Sequence, residues 1–331
     1  MFIQPLKKQK VLKVALLIGF IFFLVPTFLQ AQQYPTKQIN VMAGGAAGGP
    51  GDIPNRLLFG KAEKILGQSF AITNNSAAGG TVALSLVAKE RPDGYHLGAC
   101  ISTQLLWLPY TVPVTYKLED FVPIMHFGFL NTGVAVKTDS PWKTFKELVD
   151  YAKKNPEKIT YAVTGAGNPM DLAMKYVAKV EGIQWTGVPT PGGDPNTLLL
   201  GGHVNVISMT TTWIPHVKSG ALRPLAVHCE KRLKALPEVP TFRELGYDFV
   251  HEGAMMFCVP KGTPLPIVKT LDDALRKAME DNKDLLDYME KMSMEVGYRN
   301  HEDLKKYLEE NKDRVARIIE KLGLSKEPGK K

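Results

Sequence analysis

Short apolar runs alternate with amphipathic stretches along most of this chain, and glycine or proline marks many of the changeovers. Ile39 to Ala43 reads as a strand, after which Ile53, Leu57, Leu58, Ile65 and Leu66 mark one helix face that Gly67 ends. Phe70 to Thr73 predicts a second strand, and Val82, Leu86 and Val87 a second helix face. Arg91-Pro92-Asp93-Gly94 is a turn, and Tyr95 to Ile101 a third strand. This βαβα rhythm predicts an α/β fold whose sheet is largely parallel and covered by helices.

A second unit repeats the design. Thr144 and Glu147 have the spacing of a capping box and open a helix through about Lys154. The strand Ile159 to Val163 is followed by Thr164-Gly165-Ala166-Gly167-Asn168-Pro169, then by a helix face of Leu172, Tyr176, Val177 and Val180. Asn168 suits the N-cap and Pro169 the first helical position, where its missing N–H would be unpaired anyway. Trp185 to Val188 and Val204 to Ile207 read as strands, separated by the loop at 190–195 and a short helix that Gly201-Gly202 closes. A long apolar strand is expected from Phe249 to Val259, and Thr263-Pro264 starts a helix-rich end. The last helix, about 301–322, carries Leu304, Tyr307, Leu308, Val315, Ile318 and Ile319 on one face; Lys326–Lys331 reads as a frayed tail.

Two segments carry the candidate chemistry. In Gly44-Gly45-Ala46-Ala47-Gly48-Gly49-Pro50-Gly51-Asp52 a strand breaks into glycines and then enters a helix. Such a loop turns several backbone N–H groups outward at the positive end of a helix dipole, a seat for a carboxylate or phosphate. The segment from Thr164 to Pro169 is a second seat of the same kind, and Asn74 to Thr81 again leads glycines into a helix. Two α/β units of this sort point to a ligand in a cleft between them, at the carboxyl ends of the strands.

Composition sharpens this picture. Residues 1–31 read as a signal peptide: Lys7, Lys8, Lys10 and Lys13 form a basic start, Val14 to Leu29 an apolar core, and Ala31 a small residue for cleavage. A retained anchor is the competing reading, against which Pro26 interrupts the run. Four of the 41 basic residues lie in this leader, leaving 37 against 33 acidic in the 300 residues after it. The mature surface is only mildly positive, which suits anionic ligands and argues against nucleic acid. Three hundred residues favour two domains. Cys100, Cys229 and Cys258 match no metal-site spacing and read as buried thiols, with a Cys100–Cys258 disulfide left open.

The chain resembles the periplasmic solute receptors of tripartite tricarboxylate transporters, the Bug family. The resemblance covers nearly all of the mature chain. It rests on ordered pieces: Ala46-Ala47-Gly48-Gly49-Pro50-Gly51-Asp52, Pro92-Asp93-Gly94-Tyr95, Leu199 to Val204, Lys218 to Ala226, Leu236 to Phe242, and Pro260-Lys261-Gly262-Thr263-Pro264. It implies a two-lobed periplasmic-binding-protein fold of type II, with a discontinuous first lobe (32–132 plus 252–331) and an inserted second lobe (133–251). The crossings would fall near Asn131–Val134 and Val250–Gly253. It further implies a monomer that closes by hinge motion on a small organic carboxylate, held largely by backbone N–H groups and bridging waters, and delivers it to membrane permease components. Such donors hold a carboxylate without a permanent counter-charge.

Carried over residue by residue, the resemblance places Ala46, Ala47, Gly48, Gly49, Pro50 and Asp52 in the first-lobe loop. Gly79, Gly80 and Thr103 would flank the cleft, and Thr164, Gly165, Gly167, Asn168 and Asp171 would form the opposing loop. Pro191, Gly192 and Gly193 would line the distal end. Asp52 has an alternative role as support of its own helix, and Asp171 one as a helix-dipole partner. Near the ligand, Asp171 would repel a second carboxylate and welcome an ammonium or hydroxyl. Several positions depart from the family pattern. Gly44-Gly45 replace an aromatic, leaving room over the ligand or allowing closer backbone approach. Thr190-Pro191 replace Tyr-Lys, and acids are absent at Leu198 and after Ile207. A less charged distal pocket points to a monocarboxylate or aromatic acid rather than citrate or a dicarboxylic amino acid.

An enzyme is the rival class, and its signatures are missing. The first loop lacks Gly-x-Gly-x-x-Gly spacing, no P-loop lysine follows the glycines, and no Gly-x-Ser-x-Gly elbow occurs. His251-Glu252 has no second histidine of a zinc motif. No catalytic residue, cofactor or metal is expected. A receptor that signals to a membrane sensor kinase is the remaining alternative, which neither fold nor cleft separates from transport.

Overall fold

The computed structural model describes residues 34–191 and 193–324. The expected leader 1–31 and the tail Lys326–Lys331 therefore lie outside the described residues. The chain divides after Thr36, and every element below belongs to the compact unit that starts at Lys37.

In chain order the unit runs β1 (Ile39–Ala43), α1 (Asp52–Leu66), β2 (Phe70–Asn74), α2 (Thr81–Val87), β3 (His96–Ile101), α3 (Ser102–Leu106) and β4 (Phe121–Leu130). It continues with β5 (Thr132–Lys137), α4 (Phe145–Lys154), β6 (Thr160–Val163), α5 (Pro169–Glu181), β7 (Thr186–Pro189), α6 (Pro195–Leu200), β8 (Val206–Thr210), α7 (Ile214–Lys218) and β9 (Leu222–Val227). It ends with β10 (Gly253–Pro260), α8 (Leu265–Glu280), α9 (Lys283–Lys291), β11 (Glu295–Arg299) and α10 (His301–Leu322).

These strands form two sheets of matching design. The first has the order β2-β1-β3-β10-β4-β11, the second β7-β6-β8-β5-β9. In each, a first strand (β1 or β6) runs parallel to both neighbours, as the βαβ rhythm requires. In each, the fourth position is filled by a strand arriving from the other sheet, and it runs antiparallel to both neighbours: β10 in the first, β5 in the second. The expectation of largely parallel sheets therefore holds only for the three-stranded halves.

The chain leaves the first sheet through Asn131, between β4 and β5, and returns through 228–252. Backbone bonds tie the two crossings side by side: His228 N–H to the Thr132 carbonyl (2.9 Å) and His251 N–H to the His228 carbonyl (2.8 Å). The long apolar run at 249–259 is therefore only partly strand. Phe249 belongs to the crossing, packed near Trp107 and Tyr176 (ring centroids 5.2 and 5.8 Å), so its burial comes from the junction rather than from a sheet. The expected strand at Val204 likewise shifts to Val206–Thr210; buried Ser208 interrupts the apolar pattern, but its hydroxyl donates to the Met170 carbonyl (2.9 Å).

Stacked Phe127 and Phe257 (5.1 Å) centre the first core, and Phe145, Phe242 and Tyr247 centre an aromatic cluster in the second. The last helix reaches across: Lys321 Nζ donates to the Tyr176 hydroxyl on α5 (2.9 Å). Cys100, Cys229 and Cys258 are buried free thiols. Among the described residues, no helix is long and apolar enough to cross a membrane.

Candidate functional site

Both glycine loops leave the carboxyl end of the strand that is parallel to both its neighbours: residues 44–51 follow β1, and 164–168 follow β6. The first loop is anchored from two sides. Asn74 Nδ2 donates to the Gly45 carbonyl (2.9 Å), and Gln104 Nε2 donates to the carbonyls of Gly44 (3.2 Å) and Gly79 (2.9 Å). Gln104 Oε1 in turn accepts from Ile101 N–H (3.0 Å). A Cβ at Gly80 would lie 2.2 Å from the Gly44 oxygen, so only glycine lets the two backbones meet. Gly44 is buried under the Gln104 amide, whereas a Cβ at Gly45 would meet open space. The glycine pair thus gives close backbone approach at Gly44 and room only at Gly45.

Within this loop Ala46, Ala47 and Gly48 are exposed, and Gly49 and Pro50 half-buried. Gly49 N–H closes a turn onto the Ala46 carbonyl (3.0 Å), and Gly48 takes a left-handed φ of 72°. Asp52, 1% exposed, sits beneath. Its carboxylate accepts from Gly48 N–H (2.8 Å), Arg56 Nε (2.7 Å) and Asn74 Nδ2 (2.8 Å). Burial alone would raise its pKa, but the hydrogen bonds from Arg56, Asn74 and Gly48 outweigh it and hold the group below the usual carboxylate range.

The second loop is built alike. Asn168 Oδ1 caps α5 by accepting from Asp171 N–H (2.9 Å), with Pro169 first in the helix, and Asn168 Nδ2 donates to Thr164 Oγ1 (3.0 Å). Gly167 has the same φ of 72°. Buried Asp171 accepts from Gly167 N–H (2.7 Å), Lys175 Nζ (2.7 Å) and the Tyr161 hydroxyl (2.8 Å). Thr164 and Ala166 are exposed; Gly165, Gly167 and Asn168 are half-buried. Among the described residues, the amides of Ala46, Ala47, Gly165 and Ala166 donate to no protein group. Backbone N–H groups left without a protein acceptor beside a left-handed glycine are donors of the kind that take a small anion.

The remaining expected residues fall into different roles. Gly79 is exposed in a left-handed turn (Ala78 to Gly80, φ 50°, 69° and 88°), but Gly80 is buried against Gly44. Thr103 is buried, and its hydroxyl meets His251 Nε2 (2.8 Å), not a surface. His251 Nδ1 and His228 Nδ1 both meet Thr132 Oγ1 (3.2 and 3.0 Å), so Thr103 ends a buried polar chain through both crossings. Burial pushes His251 down to about 3; burial and the neighbouring His251 do the same to His228. Exposed Pro191 and Gly193 belong to a turn that Thr190 pins to the end of β6, its N–H and hydroxyl donating to the Val163 carbonyl (2.8 and 3.0 Å). Gly192 lies outside the described residues. Sequence reasoning missed Arg56, Asn74, Gln104, Tyr161 and Lys175. Only the four-residue spacings Asp52–Arg56 and Asp171–Lys175 left a legible signal.

Residues 55–324 match the family described as tripartite tricarboxylate transporter family receptor. The chain belongs to that family. Among its relatives, the UPF0065 protein in the gbd 5′ region of Cupriavidus necator is 37% identical over 304 residues, covering 91% of this chain and 92% of that one. The periplasmic binding protein BugD, a solved structure, is 29% identical with a TM-score of 0.74, over 89% of this chain and all of the other. MatC of Rhodopseudomonas palustris, solved with bound malate, is 24% identical with the same TM-score over 86% of this chain and 100% of that one, and supports the fold alone. Members of the tripartite tricarboxylate transporter receptor family are solute-binding receptors rather than enzymes, and the two-lobed α/β fold of this chain is theirs.

Proposed function

We propose that this receptor works outside the cytoplasmic membrane, exported by a leader at 1–31. It would capture a small organic carboxylate between its two glycine loops and hand it to the permease components of a tripartite tricarboxylate-type transporter. The observation that carries this reading is the pair of loops, each at the carboxyl end of the corresponding strand and each with amides that donate to no protein group. Residues 32–132 with 252–331 act as one lobe and 133–251 as the other, turning about the crossings at Asn131 and 228–252.

The ligand is a monocarboxylate or an aromatic acid. Met209 is buried, and Thr190, Pro191, Leu198 and Thr210 supply no charge at the distal end. The malate held by MatC is the counter-example, a dicarboxylate in a distant relative with the same fold. Titration calorimetry against benzoate, hexanoate, malate, adipate and citrate tests the assignment. Binding of benzoate or hexanoate is expected; tight binding of citrate or malate with no response to the monoacids would reject it.

A further inference from the structure

Asp52 and Asp171 stand in the same relation to two loops whose other residues differ. Each follows a left-handed glycine by four positions and takes that glycine's N–H. Each is followed four positions later by a base that reaches back to it, Arg56 Nε or Lys175 Nζ, both at 2.7 Å. The carboxylates are 0% and 3% exposed at the side chain, while the bases are 47% and 51% exposed. The third partner is unrelated in position, the Asn74 amide in one case and the Tyr161 hydroxyl in the other.

Two consequences follow from chemistry. A trans peptide points its N–H and the preceding C=O in opposite directions. With the Gly48 and Gly167 amides turned inward to buried carboxylates, those amides are withdrawn from any ligand, and donation falls to Ala46, Ala47, Gly165 and Ala166. A bare buried carboxylate next to that position would also repel an incoming anion.

We propose that Asp52–Arg56 and Asp171–Lys175 are matched positioning pairs. The carboxylate fixes its loop by holding the glycine N–H, and the base cancels the carboxylate's charge so that an anion can settle on the remaining amides. This rests on the reading of the loops as a carboxylate site, and it deepens that reading. Because each base is already committed to its own aspartate, the loops suit a singly charged group such as a carboxylate better than a phosphate dianion.

Two readouts test it. In the ligand-free protein, NMR hydrogen exchange should be at least about tenfold slower at Gly48 and Gly167 than at Ala47 and Ala166, and Asp171→Ala should abolish the difference at Gly167. Equal rates in the wild type would overturn the positioning role without reference to any ligand. With benzoate as the calorimetric probe, Lys175→Met should weaken binding about tenfold by leaving a naked carboxylate, and Asp171→Asn/Lys175→Met should recover most of it. A merely structural salt bridge predicts the reverse, a double variant no better than the single. If neither benzoate nor any other carboxylate binds the wild type, the functional reading fails and the exchange rates alone decide the positioning role.

Discussion

Gly167, in the loop after β6, packs against Thr111, which follows the helix beyond β3. A Cβ built on Gly167 would lie 3.1 Å from Thr111 Cβ. The second glycine loop therefore rests on the first sheet's side of the molecule, and its seat is shaped by a residue far away in sequence.

Gly167→Ala should be costly for two separable reasons. The left-handed φ of 72° disfavours any side chain by about 1–2 kcal/mol. The new methyl group also requires Thr111 to yield by a few tenths of an ångström. Urea unfolding should show the loss, and carboxylate affinity should fall with it. Thr111→Ala in the Gly167→Ala background should recover the steric part and leave the backbone part. Full recovery would mean that the left-handed conformation imposes no strain here.

Gln104 should matter more than a lone buried amide usually does. It holds the carbonyls of Gly44 and Gly79 and the N–H of Ile101, and it is 3% exposed. Gln104→Leu keeps the bulk and leaves three backbone groups without that partner, so a loss of about 2–4 kcal/mol is expected in denaturant unfolding. Gln104→Glu should be no better at neutral pH, because it sets a carboxylate oxygen against two carbonyls. A loss under about 0.5 kcal/mol for Gln104→Leu would show that water replaces the amide at little cost.

Much of this architecture was legible from periodicity. β1, α1, α5 and the last helix follow their apolar spacing, and the Asn168-Pro169 start of α5 was readable from capping chemistry alone. What the chain hid was long-range. Gly80 announces a turn, but nothing in its neighbourhood says that its backbone must touch Gly44, 36 residues earlier. Gln104 reads as an ordinary polar helix residue, because its partners are loop carbonyls that no spacing rule links to it. Ser208 and Phe249 misled in opposite directions: a buried hydroxyl broke a true strand pattern, and junction packing extended a false one. Asp52 and Asp171 were visible as candidates, but whether they faced a ligand or their own loops required the fold.

Stability should fall as pH drops from about 6.5, the ordinary histidine value. His126, His228 and His251 are each pushed down to about 3, chiefly by burial, with Arg299 adding to the effect at His126 and His251 at His228. Between these limits the unfolded chain binds protons that the folded chain refuses. The stabilisation is therefore complete above pH 6.5 and is lost as pH falls toward 3. Glu252 and Asp272, raised by burial, act in the opposite sense, so within the window from pH 7 to 5.5 the His251 variant serves as the control that assigns the change to a histidine. Urea titrations across that window should show a falling free energy, and His251→Gln should flatten the slope by removing one of the three protons. An unchanged slope in that variant would mean that His251 does not contribute.

The thiols give a last prediction, which depends on register. Cys100 on β3 faces Met256, and Cys258 on β10 faces Gly98, so the two cysteines are diagonal neighbours across an antiparallel pair. Diagonal positions hold their Cβ atoms up to about 7–8 Å apart, whereas a disulfide needs about 3.5–4.5 Å. The side chains nonetheless approach, because a Cβ at Gly98 would sit only 2.9 Å from Cys258 Sγ and its absence leaves the sulfur room. A hydrogen bond with Cys258 and burial push the Cys100 thiol well up, which suppresses the reactive thiolate. Alkylation under native conditions should leave Cys100, Cys229 and Cys258 unmodified. Alkylation in denaturant without reductant should label all three, even in protein recovered from an oxidising compartment. A mass showing Cys229 as the single labelled cysteine would establish a Cys100–Cys258 bridge and require β3 and β10 to shift from the register described.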